Sequence, residues 1–419
     1  MGRKKGRGDT ESELLKPLAV DFYPQRASDP LELLDACVVA LQDWRAATRE
    51  AALTAIAGAL EGLPALHKVD TRCFILFAFC GISIKKGSGS PREARLAFRA
   101  VGLLALTLRS GASWVLDEAF PLISKKIQAP AASHDEAPTH VAAIECLAAA
   151  TFAGARDAED VERSIKAVWA VVVRPIVATK TSSGPAKKNT SSSQSQVVAA
   201  AVSAWTFLIT TTTDAPPKAA WAAATVATLS GLLDHDDRAV RMAAGEALAV
   251  CVELNLTQHT PRKDVDAISA KVSELAGEAA GKGANNTMLP EQKYLFRQVA
   301  AFLDRDERPR ESVTMRTAGD GRVALKVSTW AKLAQLNFLR RFLGGGFLKH
   351  THGNELFREA FSYGADEGKV LSVSRRKRRG NGDDEGRHDD WHWLRVNVYI
   401  ATAHRGYDHS EKLLELGWH

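Results

Sequence analysis

Cysteine is scarce in this chain of 419 residues: there are five, at positions 37, 73, 80, 146 and 251. They are odd in number, far apart and each set in apolar sequence. That argues against a disulfide framework and against a zinc site, which needs close pairs. Buried, reduced thiols are the expectation. Long apolar runs are lacking too, since none reaches the roughly 18 residues that a membrane-spanning helix needs. The opening MGRKKGRGDTESE has no apolar core for a secretory signal, and Gly6 stands where a myristoylation motif wants Ser or Thr. The expected compartment is therefore the nucleus, the cytoplasm or both, with no membrane partner.

Catalytic motifs are missing as well. No Gly-x-Ser-x-Gly elbow, kinase set, His-Glu-x-x-His helix or dinucleotide fingerprint occurs. Gly344 to Gly346, followed by Lys349, is a poor phosphate loop because a helical pattern precedes it and Phe347 follows it. A helix C-cap and tight turn explains these glycines. His388, Asp389, Asp390 and His392 crowd together without a scaffold to hold a metal ion, and His350 and His352 read as a helix or loop surface. The chain is expected to have no catalytic residue, no cofactor, no metal and no small-molecule substrate.

What is present is an all-α pattern. The hydrophobic fraction of 45% and charged fraction of 25% are those of a globular protein. Amphipathic stretches begin at Leu31–Gln42 and Arg49–Leu60, and the run Cys73–Ile84, apolar all round, reads as a fully buried inner helix. Further helices are predicted at Glu93–Leu108, Ser113–Ile127, Thr139–Thr151, Ala158–Val172, Val197–Thr210 and Lys218–Leu233. The clearest follows Asp234, Asp236 and Asp237, whose carboxylates suit a helix start, with Val240, Ala244, Ala247, Leu248 and Cys251 on one stripe. Asp264–Ala280 and Pro290–Leu303 complete the series. The spacing is roughly the 40 to 47 residues of an armadillo or HEAT unit, so residues 31–303 read as an armadillo/HEAT-like α-solenoid.

The flanks differ. Residues 1–30 read as a flexible basic arm, and the Ser/Thr/Lys-rich stretch at about 179–196 as a disordered loop. A charged linker, 304–311, leads into a small module at 312–364 that is expected to carry a β-hairpin across Gly319-Asp320-Gly321. Its helix would start at Ser328 as N-cap and run to Leu343. Residues 365–419 read as a basic, disordered tail. Four cations lie in the first seven residues, and Arg375, Arg376, Lys377, Arg378 and Arg379 form an unbroken run. Together they exceed the net charge of +6, so the basic character belongs to the arms and not to the body. The run could neutralise phosphates, act as an import signal or keep an arm soluble. Lys332, Arg340 and Arg341, with Trp330 and Phe338 alongside, could suit an RNA backbone and stacking, although core packing fits the aromatics better.

The stretch Leu325–Gly364 is distinctive. Trp330 leads a helix, Leu343, Gly344 and Gly346 form a Leu-Gly-x-Gly turn, His350 follows, and Asn354, Glu355, Leu356 and Phe361 make an Asn-Glu-Leu ending with its phenylalanine. It resembles the C-terminal domain of the interferon-related developmental regulator family, and Ile82–Leu108 looks like that family's helical repeats. The resemblance implies an armadillo-like N-terminal domain and a non-enzymatic regulator of gene expression working through protein partners, of the transcriptional co-regulator type. It also leaves open a ribosome- or RNA-associated regulator of translation. The family's long Lys/Arg-rich helical tail is not matched after SRRKRRG, where the sequence continues NGDDEGRHDD.

Overall fold

The computed structural model describes residues 30–65, 71–85, 90–108, 110–129, 136–181, 192–212, 219–278, 288–316 and 322–361. Twelve of its helices fall into six consecutive pairs: α1 (Pro30–Ala40) with α2 (Ala46–Gly62), α3 (Thr71–Lys85) with α4 (Pro91–Thr107), and α5 (Ala112–Gln128) with α6 (Ala137–Gly154). The series continues with α7 (Ala158–Thr181) and α8 (Ser192–Ile209), α9 (Ala219–Leu232) and α10 (Arg238–Glu253), and α11 (Arg262–Gly277) and α12 (Leu289–Arg305). Each second helix packs on the next, α2 through α12, while α1, α3, α5 and α7 touch one another more lightly. The fold is an all-α solenoid of the armadillo/HEAT type.

The second helices form the inner layer, where each packs on the second helix of the adjoining pair. Along α6, Ala143, Ile144, Leu147, Ala148 and Ala150 are wholly buried. Their starts are well marked. Pro91, Pro138 and Pro290 lie in the first two positions of α4, α6 and α12, where a missing N–H costs nothing. Ser90 accepts from the Glu93 N–H, and Asp237 accepts from Ala239 N at 2.8 Å and Val240 N at 3.4 Å.

A second device repeats. Arg49 of α2 donates through Nη1 to the carbonyls of Asp43 and Trp44, and holds the Glu93 carboxylate of α4 from Nε (2.8 Å) and Nη2 (2.7 Å). Ser83 of α3 donates to the same carboxylate at 2.8 Å. In α10, Arg241 donates in the same way to the carbonyls of His235 and Asp236, and reaches Gln292 of α12 at 2.9 Å. Each arginine closes its own turn and ties it to the next second helix. The hydrogen bonds to Glu93 raise the Arg49 pKa despite burial.

Several expectations change. Thr179–Thr181 end α7 and Ser192–Gln196 begin α8, so the stretch expected to be a loop at 179–196 is helical at both of its described edges. Helix α3 belongs to the outer row and not to the inner layer. Its extra apolar side chains are met sideways by α1 and α5, with Trp114 edge-on to Phe74 and Phe77 at 4.5 and 5.0 Å. The helix after the hairpin is capped by Thr329, not Ser328, through a 3.2 Å bond from Lys332 N.

Beyond Asp306, which takes a left-handed φ of 52° to end α12, strands β1 (Glu311–Arg316) and β2 (Arg322–Val327) pair antiparallel in the register Glu311 to Val327. Leu325 and Val327 are buried and Lys326 is exposed, as a period of two requires. Helix α13 (Trp330–Leu343), a 3-10 turn (Gly344–Gly346), α14 (Phe347–Gly353) and α15 (Glu355–Phe361) then lie back across the inner layer.

Candidate protein-interaction groove

The segment 330–361 runs over the inner layer from α10 back to α2 through α13 and α14, and α15 then turns back beside α4 and α6. Helix ends leave carbonyls without an intrahelical partner, and the segment satisfies several of them. The Gln335 amide donates to the Thr210 carbonyl after α8 at 3.1 Å, Asn354 donates to Leu106 O of α4 at 2.8 Å, and His350 lies 3.3 Å from Leu60 O of α2. At α10 the polarity inverts. The Glu253 carboxylate accepts from Trp330 N and Ala331 N at 3.0 and 2.8 Å, an anion seated at the start of α13.

Aromatic packing fixes the segment between these points. Phe338 stacks on Phe207 of α8 with centroids 4.1 Å apart, and the Phe342 ring lies over Gly102 of α4. Trp330, Leu343, His350 and Phe357 are buried completely and Phe361 nearly so, while Glu355 and Leu356 are half-buried. Gly344 caps α13 at φ +52°, and a Cβ on Gly346 would meet the Glu61 carbonyl oxygen at 2.2 Å. The tight turn expected from the sequence is therefore also a contact with α2. The motif residues Trp330, Leu343, Gly344, Gly346, His350, Asn354, Leu356 and Phe361 come together as a docking strip, to which Phe338, Phe342 and Phe357 belong equally.

His350 corrects the expected surface placement. Only the exposed His352 matches it, because the ring of His350 faces inward from α14 onto α2. With Nε2 donating to Leu60 O, Nδ1 accepts from the Asn354 amide at 3.3 Å, and burial holds the imidazole below its ordinary pKa against the pull of Leu60 O and Glu61. The folded state therefore binds fewer protons than the unfolded chain below about pH 6.5. The resulting stability is complete above that pH and is lost as the pH falls towards the lowered folded value. Denaturant midpoints at pH 7.5 and 5 are expected to diverge less in His350→Gln than in the parent chain. Equal divergence would remove His350 from the account.

The cations of α13 do not form an open basic face. Lys332 turns inward to the Ala360 carbonyl and to Gln335, and burial lowers its pKa. Arg340 pairs with Glu311 at 2.8 Å, and Arg341 with Glu145 at 3.3 Å. Trp330 and Phe338 are core residues, not stacking platforms.

Alongside α13 the N-terminal halves of the second helices are left uncovered by the described residues, and there the structure opens a groove of about 890 Å³. Its floor is two rows, one residue from each of α4, α6, α8, α10 and α12. The first row is Arg95, Val141, Ala199, Met242 and Tyr294; the second is Leu96, Ala142, Ala200, Ala243 and Leu295. A third, polar row abuts α13, where Asn337 donates to Glu246 at 2.8 Å. Burial raises the Glu246 pKa against the pull of Asn337 and Arg341. The floor is alanine-rich at α6, α8 and α10, and at its α12 end Met288 and Tyr294 are 38% and 66% exposed.

The model of the Interferon-related developmental regulator family matches residues 7–304, which is more than half of the chain. The chain belongs to the interferon-related developmental regulator family. Interferon-related developmental regulator 2 of Mus musculus is 29% identical over 138 residues, which is 32% of this chain and 30% of that protein. Interferon-related developmental regulator 1 is 28% identical in Mus musculus and 26% in Homo sapiens over the same length, in each case 29% of the relative. The aligned stretch thus spans less than a third of the curated relatives it matches.

The matched region takes in the helices that floor the groove, except the last residue of α12, and the strip at 330–361 lies after it. The five cysteines are all buried and none forms a disulfide among the described residues, and burial pushes the thiols of Cys37, Cys80 and Cys251 up to about 12. Among the described residues no helix is long and apolar enough to cross a membrane, and no group of three His, Cys, Asp or Glu side chains could hold a metal ion. The basic run Arg375, Arg376, Lys377, Arg378 and Arg379 and the His388–His392 cluster lie outside the described residues.

Proposed function

We propose that this chain is a non-enzymatic helical-repeat scaffold that regulates gene expression through protein–protein contacts, as a transcriptional co-regulator does, in the nucleus, the cytoplasm or both. The observation that carries this reading is the groove. An alkyl floor crossing five helices, edged by charge and closed on one side by α13, suits burial of apolar side chains from another protein. It offers few cations for a phosphate backbone. The pairing of Lys332 with the Ala360 carbonyl, and of Arg340 and Arg341 with surface carboxylates, argues the same way, since those carboxylates compete with a phosphate backbone for the cations.

A photo-crosslinking residue in place of Tyr294 is expected to give adducts in cells that protease destroys and nuclease leaves intact. Ala200→Arg, placing a cation on the groove floor, is expected to reduce those adducts at least tenfold, equivalent to about 1.4 kcal/mol, with the thermal midpoint nearly unchanged. Adducts that nuclease removes would favour the ribosome- or RNA-associated reading and end this one.

A further inference from the structure

We infer that the groove takes an amphipathic α-helix from a protein partner, lying antiparallel to α13, acidic in its first turns and basic in its last. The inference rests on the protein-binding reading above and names the partner's chemistry. The floor decides between a helix and an extended peptide. An extended segment would lay its backbone N–H and C=O groups over Val141, Ala199, Met242, Ala142, Ala200 and Ala243, none of which has a side chain to pair with them. The edge amides are committed in part, Asn337 to Glu246 and Gln298 to Tyr294. A helix brings its backbone already paired. The alanines leave depth for large apolar side chains, which is what a knob from a helix stripe requires.

The dimensions agree. Five helices at 8 to 10 Å spacing make a groove about 36 Å long, the length of a helix of about 24 residues at 1.5 Å each. Polarity follows from charge. Arg95 on α4 and Glu291 on α12 are exposed at opposite ends of the groove, and neither has an ion-pair partner among the described residues. Helix α13 runs from the α12 end, where Trp330 meets Phe302, to the α4 end, where Phe342 lies on Gly102. An antiparallel neighbour therefore starts beside Arg95 and ends beside Glu291. Carboxylates in its first turns then face Arg95, cations in its last face Glu291, and both placements also suit the helix's own dipole.

The probes are two fluorescein-labelled peptides of 24 residues with the same leucine stripe, one with four glutamates first and four lysines last, the other with these blocks exchanged. The full chain is expected to bind the acid-first peptide at least threefold more tightly, and Arg95→Glu/Glu291→Lys to invert that order. The inversion matters because it is independent of any difference in helicity between the free peptides. Ala200→Arg is expected to abolish binding of both. An order that the double substitution leaves unchanged, or no binding of either peptide, overturns the inference. So does a chain that accepts peptide only after removal of residues 365–419, or whose sedimentation alone changes with Ala200→Arg; these outcomes assign the groove to the chain's own C-terminal residues or to a second copy. Protein adducts at Tyr294 without peptide discrimination remove this inference and leave the broader function standing. Absence of protein adducts removes both.

Discussion

Arg49→Ala is expected to cost about 3–5 kcal/mol of unfolding free energy, the range for breaking one side of a buried ion pair. Arg49 and Glu93 are nearly inaccessible, and their two hydrogen bonds are parallel and short. Without the guanidinium, the buried Glu93 carboxylate loses both of its bonds to Arg49, and the carbonyls of Asp43 and Trp44 lose their shared donor. The loss is a large share of the 5–15 kcal/mol that holds an ordinary domain together. Charge burial, not packing, is the reason. Arg49→Leu/Glu93→Leu is therefore expected to cost less than Arg49→Ala alone, since it removes the orphaned charge together with its partner. Urea titrations of the two variants check this. A double variant less stable than the single one would show that packing around the pair dominates.

Phe338→Ala is expected to cost a similar amount, about 3–5 kcal/mol for a large aromatic removed from a close-packed site, but the loss would be felt in a different place. Phe338 lies flat on Phe207 and is parallel to Phe342 at 6.1 Å, so its removal empties the centre of the contact between α13 and α8. The repeat pairs keep their own neighbours. Hydrogen exchange is thus expected to rise first and most in residues 330–361, with α6 and α8 retaining protection. Uniform acceleration along the whole chain would show that the strip and the solenoid open as one unit.

The solenoid was legible because its signal is local. Val240, Ala244, Ala247, Leu248 and Cys251 share a stripe within a few turns, and all five are buried as that stripe requires. The hairpin was legible for the same reason, from alternation on either side of a glycine turn. Residues 344–361 were named as a motif, yet their task was hidden. The groups they meet, Leu60 O and Leu106 O, are main-chain carbonyls, and a backbone acceptor leaves no mark on residue type. His350 looked like a surface histidine because its partners are 290 and four residues away, and only the nearer one could be seen. The arginine clamp could have been found. Arg49 and Arg241 stand in the same place after their turns, each bonded to carbonyls six and five residues back. Aligning Trp44–Arg49 with Asp236–Arg241 exposes the repeat.

The hydrogen bond from His350 to Leu60 joins residues 290 apart, and the strip lies on helices made long before it. At about 5–20 residues per second, the first repeats wait tens of seconds after synthesis before the residues that cover their ends emerge. During that interval the nascent inner face shows Phe207, Gly102 and the open helix ends to solvent. A chaperone that shields apolar surface is expected to bind chains truncated before residue 330 and to release them once residue 361 is in place.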